Sequence, residues 1–426
     1  MTNPRIAVIG LGYVGLPLAV ALARHFPVLG FDINQERVKE LRAGVDRTNE
    51  VDPYVLKEVK LKVSAETADL KGNEIFIITV PTPVDESNRP DLGPVKSACR
   101  TVAKAMGKGA IVVLESTVYP GVTEDICGPL LAEISGLKCG KDFFLGYSPE
   151  RINPGDREHT VDRITKVVSG QTPEVAEKLA HIYGKATTGG AFMAANIKTA
   201  EAAKVIENAQ RDINIAFINE VTMIFNRLGI SVFDVLDAAR TKWNFLPFTP
   251  GLVGGHCIGV DPFYLADLAQ RLGHHPEVIL AGRRINDSMG GYVADKIARR
   301  LASRGRAMDA KILVLGLTFK ENVPDLRNSK VIDIIRGLTE WGHRVDVHDP
   351  HADPEEAKHE YGVTLTESLK GKKGYDCIVG AVSHDEYAKF GANEFRALLG
   401  KTGLVADVKG MWRKLEMPSG IDRWQI

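Results

Sequence analysis

The segment "GLGYVG" at Gly10–Gly15 constrains the fold of this chain more than any other stretch. It follows the apolar run "RIAVI" and opens the apolar run "LPLAVALA", so its GxGxxG glycines stand between a strand pattern and a helix pattern. Asp32 lies 22 residues after Gly10, at the end of the next predicted strand. Such glycines permit a tight turn and the approach of a pyrophosphate, while the carboxylate binds two ribose hydroxyls and repels a 2′-phosphate. The pattern predicts a Rossmann domain that binds NAD rather than NADP.

Strand patterns alternate with helical stretches in two separate blocks, which predicts parallel sheets covered on both faces. Between the blocks, residues 194–228 contain no Gly or Pro and predict one helix of about 50 Å. We therefore expect an α/β fold with two Rossmann-like parallel-sheet domains, at 1–190 and 301–426, joined by a helical region at 191–300 with one long central helix. Apolar residues at helical spacing predict a dimer interface on that helix; they are Ile213, Phe217, Val221 and Phe225.

Composition narrows the classes of partner and compartment. Basic and acidic side chains number 54 each, so no net field draws the chain to nucleic acid or to an anionic membrane. The 5 cysteines are scattered without a CxxC pair, which predicts neither a metal site nor a disulfide framework. The strand pattern begins by Ile6, leaving no room for a signal peptide, and no apolar run approaches the ~18 residues of a membrane span. We expect a cytoplasmic protein.

The segment "GLVGGHCIGVDP" at 251–262 surrounds Cys257 with glycines and places Asp261 four residues after the thiol. Adjacent glycines let a ligand or another segment of chain approach the backbone closely. Cys257 fits a small buried apolar residue or a nucleophile, and the segment alone leaves both open. For His256, next to the thiol, we favour the role of a hydrogen-bonded loop residue.

Two further pairs of polar residues have both a functional and an ordinary interpretation. Lys204 and Asn208 are four residues apart on the predicted long helix and share a face, which in isolation favours a solvated surface. "GLTFKENVPDLRNS" presents Lys320 and Arg327 after a predicted strand. Two cations beyond the carboxyl end of a parallel strand suit a phosphorylated ligand, but they also suit a solvated loop.

Seven motifs are spread over nearly the whole chain: "GLGYVGLP", "VPTP", "ESTVYPG", "SPERINPG", "EAAKVIENAQRDINIAFINE", "GLVGGHCIGVDPFYL" and "LGLTFKENVPDLRNS". In these motifs the chain resembles the UDP-glucose/GDP-mannose dehydrogenases. Members of this family oxidise a nucleotide sugar at C6 to a uronic acid with NAD. The resemblance implies an N-terminal NAD domain, a helical middle region that forms a homodimer, and a C-terminal UDP-sugar domain.

Within the family the chain is similar to the branch that acts on UDP-N-acetylhexosamines, with UDP-GlcNAc favoured. This resemblance implies a four-electron oxidation through a thiohemiacetal and a thioester on Cys257, supplying a uronate for surface polysaccharide. The implied catalytic residues are Cys257, Lys204, Asn208, Asp261, Glu150 and Thr117. The implied cofactor contacts are Gly10, Gly12, Tyr13, Val14, Gly15, Asp32, Arg37, Pro81, Thr82, Ser116, Thr117 and Arg327. The implied substrate contacts are Glu150, Arg151, Asn153, Lys204, Asn208, Gly254, Cys257, Phe319 and Lys320.

Two segments depart from the glucose-type members of this family. At the thiol, the glucose-type members resemble "GGxCxPKD", whereas this chain has "GGHCIGVD", with Val260 in the place of the lysine. After the "PE" pair, the glucose-type members carry a second acid, and this chain has Pro154 at that position. The residue that activates the hydrolytic water therefore stays open, with Glu150 as the candidate. Alternatives are a dehydrogenase of UDP-GalNAc, UDP-glucose or GDP-mannose, and a catalytically silent NAD sensor. The combination of Cys257 with the other implied catalytic residues argues against the sensor.

Overall fold

The computed structural model describes residues 3–59, 61–85, 87–151, 158, 160–255 and 258–426. The chain divides into two compact units. The first unit comprises Met1–Glu207 and Phe263–His274, and the second unit comprises Asn208–Pro262 and His275–Ile426.

An eight-stranded sheet forms the core of the first unit, with strands in the order β3-β2-β1-β4-β5-β6-β7-β8. The strands are β1 (Ile6–Ile9), β2 (Val28–Phe31), β3 (Lys62–Ser64), β4 (Ile75–Ile78), β5 (Ala110–Leu114), β6 (Phe143–Tyr147), β7 (Lys166–Gly170) and β8 (Ala191–Met193). The helices are α1 (Gly15–Ala23), α2 (Gln35–Arg42), α3 (Pro53–Glu58), α4 (Gly93–Ala103), α5 (Gly128–Ser135) and α6 (Pro173–Ala186), with a 3₁₀ turn at Thr67–Leu70 and a π-helical turn at Val122–Cys127. Pairing is parallel from β3 to β6, as predicted, and β7 then runs antiparallel to β6. Strands β1, β4 and β5 are buried along their whole length, as in a sheet covered on both faces.

The predicted long helix is confirmed as α7 (Ile197–Leu228), whose 32 residues extend about 48 Å at ~1.5 Å per residue. The boundary between the units after Glu207 falls inside α7. Three more helices follow it: α8 (Val232–Ala239), α9 (Asp261–Arg271) and α10 (Glu277–Ser303). Within the described part of the chain, none of the helices has the length and apolar character that crossing a membrane requires.

A five-stranded parallel sheet forms the core of the second unit, in the order β10-β9-β11-β12-β13. Its strands are β9 (Lys311–Leu315), β10 (Arg344–His348), β11 (Cys377–Gly380), β12 (Gly403–Asp407) and β13 (Ile421–Gln425). Its remaining helices are α11 (Val331–Glu340), α12 (Pro354–Tyr361), α13 (Asp385–Ala388) and α14 (Ala392–Leu399). Glycines bring α10 and α11 close together, since a Cβ at Gly337 would lie 2.7 Å from the Ala294 Cβ. Two Rossmann-like sheets with helical layers confirm the predicted fold class.

Candidate functional site

The three glycines of the turn between β1 and α1 have three different surroundings. Gly10 has φ +97°, a left-handed conformation that favours glycine. A Cβ on Gly15 would overlap the carbonyl oxygen of Gly10, so this position serves the packing of α1 against the turn. A Cβ on Gly12 would meet nothing within 4 Å. The space beside Gly12 is where a pyrophosphate approaches such a turn, and the N-terminus of α1 carries no acidic residue to compete with it.

Asp32 is held at the end of β2 by two backbone groups. Its Oδ2 accepts a hydrogen bond from Leu11 N at 2.8 Å, and its Oδ1 accepts one from Asn34 N at 2.8 Å. The carboxylate therefore orients the glycine turn and stands at the position that ribose hydroxyls need. Ile33 beside it is 81% exposed.

Arg37, a predicted cofactor contact, supports the glycine turn from within the protein. Its Nε donates to the Leu11 carbonyl oxygen at 2.9 Å, and its Nη2 donates to Asp46 Oδ1 at 2.7 Å. Burial works to raise the pKa of Asp46, but hydrogen bonds from Thr48 and Arg37 bring it below its ordinary value. The buried ion pair fixes the guanidinium behind the turn, while a contact between Arg37 and the cofactor stays a prediction.

Segments after β4 and β5 are tied together at the same edge of the sheet as the glycine turn. Thr79 Oγ1 donates to the carbonyl oxygens of Ile9 at 3.0 Å and Gly10 at 2.8 Å. The predicted contact Ser116 donates to Val80 O at 2.6 Å. Parallel strands align their carboxyl ends, which brings these predicted residues beside the glycines.

The remaining predicted cofactor contacts of the first unit lie along this edge. Tyr13 and Val14 are partly buried between the glycines, Pro81 is exposed, and Thr82 is buried. Thr117, partly buried, follows β5. Tyr264, in α9, donates from its hydroxyl to the Thr82 carbonyl oxygen at 2.6 Å, a support that sequence patterns did not reveal.

Glu150 follows β6 and is buried against charged groups of the first unit. Its Oε2 lies 3.1 Å from Lys166 Nζ, which also lies 3.3 Å from Glu115 Oε2. Arg151 donates from its backbone N to Glu150 Oε1 at 2.6 Å, and its guanidinium pairs with Glu207 at 2.8 Å. Asn153 and Pro154 lie outside the described residues.

A polar face on α7 is buried rather than solvated, so the ordinary interpretation of Lys204 and Asn208 is wrong. Both side chains are 7% exposed. Asp212 and Asn219, which follow on the same side of the helix, are 0% exposed. Buried polar side chains require partners, and the second unit supplies them for Asn208, Asp212 and Asn219.

Asn208 and Asp261, both predicted catalytic residues, are in direct contact in the second unit. Asn208 Nδ2 donates to Asp261 Oδ2 at 2.5 Å. Asp261 is 3% exposed and is the first residue of α9, where the helix dipole favours a negative charge. The amide fixes the carboxylate in one orientation four residues after Cys257.

A second buried network, which the sequence analysis missed, fixes the start of the segment that leads to Cys257. Asn219 accepts from Gly251 N at 2.9 Å and donates to Gly251 O at 3.0 Å. Its Nδ2 also lies 2.8 Å from Asn286 Oδ1, and Asn286 donates to Asp212 Oδ1 at 2.7 Å. Arg283 Nη1 also donates to Asp212 Oδ1, at 2.7 Å, and so joins the network. In the sequence, this network is indicated by the polar residues that recur on one face of α7.

The glycine pair before Cys257 is packed against the chain itself. A Cβ on Gly254 would lie 2.7 Å from Asn328 O and 3.2 Å from Phe319 Cβ. Gly255 has φ +83°, and a Cβ there would lie 2.8 Å from the Phe319 ring. Another segment of the chain therefore approaches these glycines closely, as the sequence allowed, and the contact joins two predicted substrate contacts, Gly254 and Phe319. His256 and Cys257 lie outside the described residues.

The turn after β9 repeats the geometry of the glycine turn but uses its carboxylate differently. Gly316 has φ +95°, and Asp349 Oδ2 accepts from Leu317 N at 2.6 Å, as Asp32 does from Leu11. His384 lies 3.1 Å from the same oxygen, and both side chains are 0% exposed. Burial works to raise the pKa of Asp349, but the hydrogen bond and charge of His384 and the backbone donors lower it far below its ordinary value. Asp349 has no surface to offer a ribose, so this turn cannot bind a dinucleotide as the first does.

The two cations after β9 are both partly buried. Arg327 forms a two-pronged pair with Asp325, with Nε to Oδ1 at 2.9 Å and Nη2 to Oδ2 at 2.6 Å. Its side chain is 39% exposed, while Asp325 is buried. Lys320 lies in the same segment, directly after Phe319.

The first unit has an open glycine turn with a carboxylate at the end of the next strand, and the second unit has its own Rossmann-like sheet. Together these features define a dinucleotide-binding protein with an additional nucleotide-type domain. Three family models of the UDP-glucose/GDP-mannose dehydrogenases match it: the NAD binding domain over residues 4–187, the central domain over 198–288 and the UDP binding domain over 313–414. The chain belongs to this family and is therefore an NAD-dependent nucleotide-sugar dehydrogenase.

Relatives agree with this assignment along the whole chain. A UDP-N-acetyl-D-glucosamine 6-dehydrogenase of Pseudomonas aeruginosa is 54% identical over 96% of this chain and 97% of its own. Protein CapL of Staphylococcus aureus is 52% identical over 100% of both chains. The solved structure of a UDP-D-ManNAc dehydrogenase from Pyrococcus horikoshii aligns with a TM-score of 0.90 at 33% identity, covering 99% of each chain.

Proposed function

We propose that this enzyme oxidises the C6 hydroxyl of a UDP-N-acetylhexosamine, UDP-GlcNAc above others, to the uronate with two molecules of NAD. The buried contact between Asn208 and Asp261 carries the chemical part of the proposal, because the amide of Asn208 fixes a carboxylate that lies four residues after Cys257 in the sequence. The choice of sugar is supported by the 54% identity to an enzyme named for UDP-N-acetyl-D-glucosamine.

The residues divide the reaction into steps that avoid a free aldehyde. Bound NAD, held at the glycine turn and Asp32, supplies the hydride acceptor for both oxidations. Asp261 takes the proton of the C6 hydroxyl in the first oxidation. The Cys257 thiolate adds to the aldehyde carbon, and the thiohemiacetal becomes a thioester in the second oxidation. Lys204 and Asn208, which share a face of α7, stabilise the oxyanion at C6.

Hydrolysis of the thioester completes the sequence. Glu150 takes a proton from water as the water oxygen bonds to the C6 carbon, and the Cys257 thiolate leaves. The balance is one alcohol, one water and two NAD consumed, with one carboxylic acid, two NADH and two protons formed. In this proposal Lys320 and Phe319 bind the sugar nucleotide, and Arg327 is assigned to the cofactor because the family resemblance implies that role.

The two departures of this sequence from glucose-type members favour an acetamido sugar as the substrate. Pro154 in place of an acid removes a charge and a flexible side chain, which leaves room for a C2 acetamido group near Arg151 or Asn153. A polar contact to that group would make the site discriminate, because a sugar without the group loses the hydrogen bond.

Initial rates of NADH formation with five nucleotide sugars test the substrate. UDP-GlcNAc is expected to exceed UDP-glucose and GDP-mannose in kcat/KM by at least about 10²-fold, because those sugars lack the acetamido group. UDP-GalNAc and UDP-ManNAc complete the panel and test the configuration of the ring. Product mass should show a uronate, with two NADH for each sugar. Faster turnover of UDP-glucose would overturn the assignment.

We also propose a homodimer through α7, on an exposed apolar stripe that differs in part from the predicted one. Phe225 is not on the stripe, because it packs against a buried cluster that includes Ile218 and Phe233. The stripe consists of Phe217, Ile224 and Leu228, which are 57%, 51% and 64% exposed. Their spacing of seven and four residues places them on one side of the helix, where a second copy of the chain would cover them.

Light scattering on the wild-type enzyme is expected to give the mass of a dimer. Ile224→Glu places a charge in the centre of the stripe and should shift the population to monomer at assay concentration. Met308→Glu is the matched control, because Met308 is 70% exposed and lies away from α7 in sequence. A monomeric wild-type enzyme, or an unchanged mass for Ile224→Glu, would contradict the interface.

The compartment and the destination of the product belong to the same proposal. The described cysteines Cys99, Cys127, Cys139 and Cys377 are free thiols, as is usual in the reducing cytoplasm. We place the enzyme there, where it meets NAD and nucleotide sugars. Its UDP-activated uronate then serves as a donor for surface polysaccharide.

A further inference from the structure

Three charged side chains form a buried triad in the first unit: Glu115, Glu150 and Lys166. Their exposed fractions are 1%, 7% and 1%. Lys166 Nζ stands between the two carboxylates, 3.1 Å from Glu150 Oε2 and 3.3 Å from Glu115 Oε2. Buried ion pairs are costly to desolvate and are weak devices for stability alone. The triad therefore requires an explanation beyond packing.

Reversal of β7 is what brings the triad together. Glu115 directly follows β5, and Glu150 lies three residues after β6, so both are at the carboxyl ends of parallel strands. Strand β7 runs antiparallel to β6, with Tyr147 opposite Ser169, so its first residue lies at that same edge. Continuing this register three residues beyond Tyr147 places Glu150 opposite Lys166. The lysine is thus directed at Glu150 by the sheet itself.

Burial and the charges of the triad shift the pKa values of Glu115 and Lys166. Burial raises the pKa of Glu115 to about 7, against the lowering effect of the Lys166 charge. Burial alone would lower the pKa of Lys166, but the charges of Glu115 and Glu150 raise it above its ordinary value. Tyr183 also faces Glu115, and burial raises the pKa of its hydroxyl well above the ordinary value, so it stays neutral. Lys166 therefore remains an ammonium with two acidic partners near neutral pH.

We propose that Lys166 is a positioning residue that holds the Glu150 carboxylate for thioester hydrolysis, and that Glu115 tunes its hold. This inference rests on the proposed function. Glu150 is oriented at both oxygens, by Lys166 at Oε2 and by the Arg151 backbone N–H at Oε1. An ammonium with a single carboxylate partner would strongly weaken that carboxylate as a base. Sharing the ammonium with Glu115 moderates the effect, and Lys166 keeps Glu115 as a hydrogen-bond partner when Glu150 takes the proton from water.

Lys166→Met tests the inference, measured as kcat for NADH formation with UDP-GlcNAc across a pH series. It leaves two buried carboxylates facing each other, so one of them holds a proton to higher pH. The acidic limb of the kcat profile is expected to move up by about one pH unit or more, and kcat to fall on the order of 10²-fold. Adding Glu115→Gln to Lys166→Met removes the second anion and should return the limb toward the wild-type position. Lys108→Met, at a lysine that is 77% exposed, is the matched control and should change neither quantity.

The outcomes separate this inference from the proposed function. No NADH from the wild-type enzyme with any nucleotide sugar would overturn the proposed function itself. The inference would be overturned if the wild-type enzyme turns over normally and Lys166→Met changes only the Tm. In that case the acidic limb of the kcat–pH profile and kcat itself are unchanged in Lys166→Met, and the triad is merely structural. Should Lys166→Met not fold, Glu115→Gln decides: Lys166 then pairs with Glu150 alone, and the acidic limb should move down. An unmoved limb in that variant overturns the inference.

Discussion

Replacing Cys257 with alanine is expected to abolish uronate formation while NAD binding stays near the wild-type level. In the proposed mechanism, the thiol provides the bond that carries the substrate from the first oxidation to the second. Loss of a covalent nucleophile lowers kcat by ~10³-fold or more. The proposed cofactor contacts at Gly12 and Asp32 belong to the first unit, whereas Cys257 belongs to the second. NADH formation and a binding titration with NAD measure the two halves of the prediction.

Cys257→Ser is the informative companion variant. A hydroxyl adds to the aldehyde more weakly than a thiolate, and its ester hydrolyses more slowly than a thioester. An ester adduct on the protein is therefore expected to accumulate and to appear as added mass. Full activity in Cys257→Ala would end the covalent mechanism, whatever the serine variant does.

Arg283→Met is expected to destabilise the folded enzyme by ~3–5 kcal/mol, because it leaves a buried carboxylate without its cation. Arg283 Nη1 lies 2.7 Å from Asp212 Oδ1, and the Asp212 side chain is 0% exposed. Burial already raises the pKa of Asp212, against the charge of Arg283 and the hydrogen bond from Asn286. Denaturant unfolding measures the loss, and activity should fall with it because the same network holds Gly251 through Asn219.

The pH dependence of this loss has a definite sign. Without Arg283 the folded-state pKa of Asp212 rises further above its unfolded value. A carboxyl group of that kind favours the folded state below its unfolded pKa, and this contribution is lost as pH rises through the folded pKa. The variant should therefore be more strongly destabilised at neutral pH than at mildly acidic pH.

Arg299→Met, on the same helix α10, is the matched control for Arg283→Met. Arg299 pairs with Asp295 one turn away, but its side chain is 67% exposed. Exposed pairs of this kind contribute at most ~1 kcal/mol, so the control should unfold close to the wild-type enzyme. Equal losses in the two arginine variants would show that burial of Asp212 is not the cause.

Sequence patterns predicted the features of this protein that depend on neighbouring residues. The glycine turn with Asp32 and the long helix α7 were predicted correctly, because backbone conformation and periodicity act over a few residues. The antiparallel strand β7 was not predicted. Its local pattern is that of any apolar strand, and only pairing with β6 sets its direction.

Tertiary structure decided how the polar side chains are used. Lys204 and Asn208 look like a solvated face on an isolated helix, yet both are buried, and Asn208 meets Asp261 from 53 residues away. Lys166 looks like an ordinary lysine at the start of a strand, and it became a partner of Glu150 only through the reversal of β7. Gly254 and Gly255 are packed against Phe319, more than 60 residues later in the chain. The physical reason is common to all three: burial and charge pairing depend on which distant segments meet, and a local pattern carries no record of them.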